Sequence, residues 1–481
     1  MLYTEVNGMF RLKENGTTVR TEIVAGLTTF MTMSYIVVLN PNILTNFGVD
    51  GGQGLWNAVF MATCLAAAIG TAVMALYANS PFVMAPGMGL NSFFAVVVGN
   101  LVAMTGATYL QCYQGALVII FIEGVVFILL SVLRVREKIV DAIPLGIRLS
   151  IGPAIGMMLL NIGFGSNAGI YTADGNGPFY VLRDFFGALT PSSIAGKLGS
   201  DYSALVLTVI TMLVGLFLII LLNLRHIKGS VLFGMLGASV FYWACEAIFF
   251  GRNPFESLAG ASFIPPFADL TRLTLFKLDF KMLFDTGIFT SLTLIITFCM
   301  IDMFDTIGTL IGAAGKANML DENGNMPRIK EALTADAVGT IAGSLAGTPT
   351  VTTFVESATG VEAGGRTGLT ALTGSVLFLL CIFISPLVAL IPPAATSSAL
   401  IYTGIIMLGS LKNLKFDDPY QLIPAALMLI AMPVSGSIGQ AIGLGMIAYT
   451  VMKLFSGKAK EVSVLTYIIS VIFTVKFFLV V

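Results

Sequence analysis

Long apolar runs alternate with short polar connections along the whole chain, which is the pattern of a polytopic membrane protein. A spanning helix needs about 20 consecutive, mostly apolar residues. The uninterrupted runs of this kind lie near 23–40, 57–77, 109–133, 139–165, 203–222, 229–249, 287–311, 332–347, 367–385, 387–410, 420–434 and 437–455. Two further segments, 81–104 and 349–362, are apolar but interrupted, and a last apolar run covers 463–480. The pattern therefore predicts an all-α protein with fourteen transmembrane segments and one more apolar helix.

The composition supports a membrane protein. Charged residues make up 11% of the 481 residues and apolar residues 56%. An ordinary soluble domain carries about 25% charged residues, so this chain cannot cover a water-exposed surface. That excludes a secreted enzyme, a nucleic-acid-binding protein and a disordered hub, and it favours a protein whose lipid-facing residues need no charge. The formal net charge of −1 carries no information about an acidic partner.

The residue types that hold metals and cofactors are sparse. The five cysteines occur singly in apolar runs, and the single histidine, His226, belongs to a basic stretch. The segment Gly312–Ala317 lacks the first glycine of a phosphate-binding loop and ends in alanine instead of serine or threonine. We therefore expect no metal site, no cofactor, no disulfide framework and no ATP-driven step.

The basic residues predict the orientation in the membrane. With the N-terminus in the cytoplasm, the larger share of the 25 lysine and arginine residues falls on the cytoplasmic side. Residues 1–22 lack the basic, apolar and small-residue order of a cleavable signal peptide. We therefore expect a multi-pass protein of the cell membrane, in contact with the lipid bilayer. Thr474 and Lys476 interrupt the last apolar run, so we expect 463–480 to lie in the interface, with a further crossing as the alternative.

The two interrupted segments resemble each other. Ser80-Pro81 in the first half and Thr348-Pro349 in the second half each precede a short run of β-forming residues that leads into small residues. Because each half contains seven segments, the second half enters the membrane from the opposite side, which predicts a seven-plus-seven inverted repeat. Broken segments at corresponding positions of two repeats indicate a transporter binding site. We therefore expect two short strands that lead into half-helices, although simple kinks at proline and glycine are the alternative.

Polar residues inside the apolar segments are costly and are therefore functional candidates. Asp302 and Asp305 lie three residues apart, which places them on one face of the eighth segment. Glu356 follows the second broken strand at the start of a half-helix, where it is either a site residue or a helix cap. Asn91 lies in the matching place of the first half, either as a site residue or as a packing amide.

For two further acidic residues, Glu123 and Asp336, we favour a structural role. Glu123 lies within the fourth segment, and we favour a buried structural carboxyl over a role in transport. Asp336 follows a cytoplasmic loop, and we expect it to be a residue of a helix start rather than a ligand.

Four stretches of the chain resemble the AzgA-like purine permeases of the nucleobase/ascorbate transporter superfamily. Asp302–Gly312 resembles the signature of the eighth helix in that family. Met84–Asn91, Thr353–Ser357 and Gly364–Thr370 also agree, and the likeness extends in order from Arg11 to the C-terminus. Because several separate motifs match in the same order, the resemblance is specific.

The resemblance implies a core domain, made of segments 1–4 and 8–11, that moves against a gate domain, made of segments 5–7 and 12–14. It also implies proton-coupled import of adenine, guanine and hypoxanthine by alternating access. The corresponding boundaries are 1–22 for a cytoplasmic N-terminus, 23–133 and 287–385 for the core, 134–250 and 386–456 for the gate, 251–286 for an extracellular loop and 457–481 for a C-terminal apolar helix.

The functional polar residues of that family correspond to Asn91, Asp302, Asp305 and Glu356. In a dry site carboxylates accept strongly from the N–H groups of a purine, an amide both donates and accepts, and an aromatic ring can stack on the base. We therefore expect substrate binding by Asn91, Asp302, Glu356 and Phe354, and proton coupling by Asp305 and Glu356. The reverse assignment of Asp302 and Asp305 stays open.

Two other functions stay open at this point. An anion or sulfate transporter would share the fold, but Glu356 and the two aspartates would repel its substrate. An intramembrane aspartyl enzyme would carry its two acids on different helices, whereas Asp302 and Asp305 share one. We therefore assign no catalytic residue and expect a transporter. The preferred purine, the proton stoichiometry and the oligomeric state are open, with a homodimer as one candidate.

Overall fold

A computed structural model of the chain describes residues 8–46, 48, 50–132, 144–164, 202–258, 263–316, 319, 326, 328–435 and 438–479. The predicted boundary between core and gate at residue 134 lies outside these residues. Most of the segment Gly312–Ala317 is described only as backbone, within a helix.

The described elements are almost all helices, in the order expected from the apolar runs. The first half contains α1 (Val19–Met33), α2 (Ile36–Thr45), α3 (Gly52–Leu76), β1 (Met84–Pro86), α4 (Met88–Thr105), α5 (Tyr109–Val132), α6 (Leu145–Ile162), α7 (Tyr202–Leu224) and α8 (Ser230–Phe249). The second half contains α9 (Phe267–Leu273), α10 (Met282–Asp285), α11 (Ile288–Lys316), α12 (Ile329–Ala346), β2 (Val351–Thr353), α13 (Ser357–Glu362), α14 (Gly368–Cys381), α15 (Ser385–Val388), α16 (Pro393–Met407), α17 (Pro419–Ser435), α18 (Ile438–Phe455) and α19 (Val464–Leu479).

Many of these helices can cross a membrane. Within the described ranges, nine helical segments are long and apolar enough to do so, and four shorter apolar helices accompany them, of which the first is Ile288–Met303. Apolar side chains such as Phe217 and Val240 are more than half exposed on α7 and α8, as expected for helices that face lipid. The chain is therefore a multi-pass membrane protein.

The first apolar run forms one helical segment, Val19–Thr45, with a tight turn in its middle. Helix α1 ends at Met33 and α2 begins at Ile36. Between them the N–H groups of Val37 and Val38 donate to the carbonyl oxygens of Ser34 and Tyr35, three residues earlier, which tightens the helix. Tyr35 keeps helical backbone dihedrals at this turn, and its side chain is fully buried.

The described helices form two compact units. Unit 1 comprises Met1–Glu137 and Ser262–Val388, and unit 2 comprises Lys138–Ala261 and Ala389–Val481. In unit 1, α3 packs against both α12 and α14. In unit 2, α6 packs against α16 and α17. Each unit thus contains helices from both halves of the chain.

Small residues allow close packing within unit 2. A Cβ atom placed on Gly156 of α6 would lie 2.6 Å from the carbonyl oxygen of Gly404, and one on Gly404 would lie 2.7 Å from that of Gly156. Because both positions lack a side chain, the backbones of α6 and α16 come together without a clash.

A buried carboxylate holds the start of α14 in unit 1. Glu22 of α1 accepts hydrogen bonds from the N–H groups of Arg366, Thr367 and Thr370, at 2.9, 3.2 and 3.2 Å. The hydroxyl groups of Thr367 and Thr370 donate to it as well, at 2.9 and 2.6 Å. The stretch Gly364–Thr370 therefore supplies the donors that a carboxylate at a helix N-terminus requires.

The C-terminal helix runs alongside the last crossing of unit 2. The hydroxyl groups of Thr450 and Ser470 lie 2.7 Å apart, and Tyr467 donates to the carbonyl oxygen of Ala459 at 3.0 Å. Phe473 packs against Gly443, nearer the other end of α18. Helix α19 is thus antiparallel to α18 along most of its length. The interfacial placement of this helix stays a prediction.

Candidate functional site

The two broken segments meet in a short antiparallel sheet inside unit 1. Strand β1 pairs with β2, and Met84 lies opposite Thr353 and Pro86 opposite Val351. The N–H group of Gly87 donates to the carbonyl oxygen of Thr350 at 3.0 Å, which extends the pairing by one bond. Irregular backbone at membrane depth needs such internal partners. The pairing therefore explains how two short strands persist inside an apolar protein.

Each strand leads into a helix, but the two polar side chains do not occupy equivalent positions. Helix α4 starts at Met88 after Gly87, so Asn91 is the fourth residue of its helix. Helix α13 starts at Ser357, and Glu356 is the residue that precedes its first turn. The expected match between Asn91 and Glu356 is therefore wrong by one helical turn, because the second segment places its polar group closer to the strand.

Glu356 is half-buried and is not a side-chain cap of α13, since it makes no capping hydrogen bond there. Its Oε1 atom accepts a hydrogen bond from the hydroxyl group of Tyr35 at 2.7 Å. Helix α1, which ends next to Tyr35, packs against α13, which begins next to Glu356. This geometry disfavours the helix-cap interpretation of Glu356.

Asn91 is fully buried and is held by a second amide. Its Nδ2 atom donates to Oδ1 of Asn40 at 2.6 Å. Asn40 in turn donates to the hydroxyl oxygens of Thr63 and Thr348, at 2.8 and 2.9 Å. Among the described residues, the Oδ1 atom of Asn91 has no hydrogen-bond partner. The Oδ1 atom of Asn91 can therefore accept a hydrogen bond from another group.

The two aspartates of α11 have different surroundings. Asp302 is fully buried, and its Oδ1 atom lies 3.3 Å from the hydroxyl oxygen of Thr306. The same hydroxyl group donates to Oδ2 of Asp336 at 2.9 Å and lies 2.9 Å from the hydroxyl oxygen of Thr352 on β2. Thr306 thus joins α11 to α12 and to the strand pair.

Asp305 is half-buried and lies at the end of strand β1. A Cβ atom placed on Gly87 would be 3.9 Å from its Oδ2 atom. The carboxyl groups of Asp336 and Glu356 are close enough to interact electrostatically with Asp305. Asp305 on α11 is therefore within electrostatic range of one acidic side chain on α12 and of another at the start of α13.

The aromatic candidate Phe354 is buried directly after β2, and its N–H group donates to the carbonyl oxygen of Val83 at 3.2 Å. The ring of Phe93 packs against that of Phe298, with ring centroids 4.8 Å apart. That contact links α4 to α11, close to Asn91 on the first helix and to Asp302 on the second.

Asp336 is not the helix-start residue that the sequence indicated. Helix α12 begins at Ile329, so Asp336 lies about two turns inside it, and its side chain is fully buried. The prediction was wrong because the basic residues at the start of this segment suggested a shallow position. Tyr35, Asn40 and Thr306 were also not singled out, although each is a polar side chain within an apolar run.

Glu123 lies next to Thr350, the residue before β2, and its structural role stays a prediction. It is fully buried on α5, and the hydroxyl group of Thr350 donates to its Oε2 atom at 3.4 Å. Across the part of the chain that the structure describes, no group of three His, Cys, Asp or Glu side chains has the arrangement of a metal site.

The sequence of the chain matches known permeases over nearly its whole length. A profile of a permease family matches residues 20–200 and 192–439. The chain belongs to this permease family. The adenine permease AdeQ of Escherichia coli is 37% identical over 477 residues, which are 98% of this chain and 96% of the relative. The guanine/hypoxanthine permease PbuO of Bacillus subtilis is 36% identical over 473 residues, 98% of this chain and 100% of the relative.

These relatives confirm the resemblance to AzgA-like purine permeases. Because the relatives are permeases, they also confirm that this family member is a transporter and not an enzyme. The transmembrane domain of a cyanobacterial bicarbonate transporter, BicA, has a similar structure, with a TM-score of 0.60 over 88% of this chain and 96% of that domain. At 16% identity this likeness shows the fold alone. It confirms the predicted inverted-repeat membrane fold with two short strands.

Proposed function

We propose that this permease imports the purine nucleobases guanine, hypoxanthine and adenine together with protons, by alternating access. One observation carries the proposal: next to the strand pair, Asp305 lies within electrostatic range of Asp336 and Glu356, in a chain that matches purine permeases over nearly its whole length. The relatives support the substrate class, and the acidic cluster supports the coupling ion. The cell membrane is the proposed location, with the N-terminus in the cytoplasm.

The polar groups around the strand pair suit a flat base that carries several N–H groups. Glu356 and Asp302 supply carboxylate acceptors, which bind N–H donors strongly where water is excluded. Asn91 adds a neutral acceptor from a fully buried position. Phe354, which is buried between β2 and Glu356, is the proposed stacking surface for the ring.

The acidic cluster is the proposed proton site. Burial disfavours the ionised form of a carboxyl group, and neighbouring negative charges disfavour it further. Asp305 interacts with both Asp336 and Glu356, so the full set of charges is costly unless a proton is bound. We assign proton coupling to Asp305 and Glu356, because both are half-buried and therefore closer to a route for protons.

Asp302 is assigned to substrate orientation. It is fully buried on α11 beside Thr306, whose hydroxyl oxygen lies 2.9 Å from that of Thr352 on the strand pair. Because Asp302 is fully buried while Asp305 and Glu356 are half-buried, we assign it to substrate binding and not to proton exchange. The membrane potential supplies about 2.3 kcal/mol per charge per 100 mV, which is enough to concentrate a neutral base when a proton moves with it.

The proposal is tested by transport in proteoliposomes with an imposed pH gradient. We expect labelled hypoxanthine, guanine and adenine to accumulate when the outside is acidic, and a protonophore to abolish accumulation. Unlabelled purines should compete, and pyrimidines should compete weakly. Labelled sulfate is the control for an anion transporter. Uptake of sulfate without purine uptake would overturn the substrate assignment, and sodium-dependent accumulation that resists the protonophore would overturn the proton assignment.

A further inference from the structure

Three buried residues fix the orientation of one side-chain amide by the direction of their hydrogen bonds. The hydroxyl group of Thr63 donates to the carbonyl oxygen of Val59 at 2.7 Å, within α3. A hydroxyl group has a single proton to donate. Its oxygen can therefore only accept from the Asn40 side chain, 2.8 Å away. The atom of Asn40 that faces Thr63 must be the NH2 group.

This donor leaves Asn40 with one possible orientation. Its NH2 group donates to the hydroxyl oxygens of both Thr63 and Thr348, which accounts for both of its protons. The carbonyl oxygen of Asn40 must then face Asn91. All four residues are fully buried, so water cannot replace these partners or reverse the order.

The same logic continues to Asn91. Because an oxygen of Asn40 faces it at 2.6 Å, Asn91 must present its NH2 group there. Its own carbonyl oxygen points to the other side. Within the described part of the chain that oxygen is buried and has no hydrogen-bond partner. A buried acceptor of this kind is costly and needs an explanation in a native structure.

We propose that Asn40 is a positioning residue of the transport site, which holds Asn91 so that its carbonyl oxygen accepts the N–H group of the five-membered ring of the base. The inference rests on the proposed function. Guanine, hypoxanthine and adenine all carry one proton on the nitrogens of that ring, whereas their six-membered rings differ. An acceptor that reads this shared N–H group would explain how one site takes all three bases.

The test compares two ligands that differ only in the group read by Asn91. In 7-deazahypoxanthine the five-membered ring keeps an N–H group, and in its furo analogue an oxygen atom takes the place of that group. Dissociation constants are measured on the purified full-length protein by competition with labelled hypoxanthine. For the unmodified protein we expect the furo analogue to bind about tenfold more weakly, because two acceptors then face each other.

The variant Asn40→Ala should reduce this ratio to within about threefold, since Asn91 is then free to turn its NH2 group toward the ligand. Asn91→Ala should give a similarly small ratio. Asn42→Ala is the matched control: Asn42 is a buried asparagine of the same helix, but it accepts from the indole N–H group of Trp56 at 2.7 Å instead. Its ratio should equal that of the unmodified protein.

A merely structural role for Asn40 would lower the yield or the thermal stability without changing the ratio of the two ligands. If Asn40→Ala does not yield a monodisperse protein, Thr63→Val decides, because it removes the hydroxyl oxygen that fixes the amide of Asn40. A ratio that persists in these variants, or a ratio near one in the unmodified protein, overturns the inference. Failure of the unmodified protein to bind any purine would instead overturn the proposed function.

Discussion

The two broken segments use the same backbone arrangement for different chemistry. The first segment leads into α4, with 18 residues, and presents the neutral amide of Asn91. The second leads into α13, with 6 residues, and presents the carboxyl group of Glu356. Asn91 is fully buried and is held by Asn40, whereas Glu356 is half-buried and accepts from Tyr35.

In the proposed mechanism, this difference separates substrate recognition from proton coupling. An amide keeps the same charge through a transport cycle, so the first segment can only offer hydrogen bonds. A carboxyl group changes charge when it binds a proton, and Glu356 lies near Asp305, whose charge adds to its own. We therefore expect substitutions in the second segment to affect accumulation, and those in the first segment to affect affinity.

The largest effect is expected for Glu356→Gln. The substitution keeps the shape of the side chain but removes an anionic acceptor and a proton carrier. Accumulation of labelled hypoxanthine in proteoliposomes should be abolished. Size-exclusion chromatography of the variant and its recovery in the membrane fraction provide the control for folding. Uptake equal to that of the unmodified protein would remove Glu356 from the mechanism.

Asp305→Asn should separate binding from accumulation. The amide can still accept a hydrogen bond, but it cannot carry a proton. The variant should bind purines and exchange labelled for unlabelled base, yet fail to concentrate the base against a gradient. For the unmodified protein, uptake should rise as the external pH falls. Concentrative uptake by Asp305→Asn that follows the external pH as before would contradict the assignment.

Tyr35→Phe tests the partner of Glu356. The ring is kept, and the hydroxyl group that donates to Oε1 at 2.7 Å is lost. A hydrogen bond to a charged group contributes about 1.5–3 kcal/mol, so we expect the initial rate of uptake to fall at least about tenfold. Tyr113→Phe is the matched control in the same unit, because its hydroxyl group donates to the carbonyl oxygen of Gly347 instead. Equal losses in both variants would show a general effect on packing.

The smallest effect is expected for Asn91→Ala, in the neutral segment. A hydrogen bond between neutral groups contributes about 0.5–1.5 kcal/mol, which corresponds to a loss of affinity of about threefold to tenfold. Maximal accumulation should be retained at saturating substrate. Ser92→Ala controls for the helix, since Ser92 bonds only within α4, to the carbonyl oxygen of Met88. Unchanged inhibition constants for all purines would exclude Asn91 as a ligand.

The local pattern of the sequence determined the membrane class, the number and order of segments and the two breaks. These features follow from runs of apolar residues and from prolines such as Pro81 and Pro349, whose effect on the backbone does not depend on distant residues. The motifs around Asn91, Asp302 and Glu356 were also sufficient to indicate the permease family, because each motif is a short, continuous stretch of the chain.

Only the tertiary structure decided which polar side chains meet. Tyr35 and Glu356 are 321 positions apart, and Asn40 and Thr348 are 308 apart. Hydrophobic periodicity carries no information about such pairs, because it reports only which face of a helix is apolar. The packing of α1 against α13 brings the first pair together, and the packing of α3 against α12 supports the second. The burial of Asp336 within α12 and the antiparallel packing of α19 against α18 also depend on tertiary contacts, so the sequence pattern did not predict them.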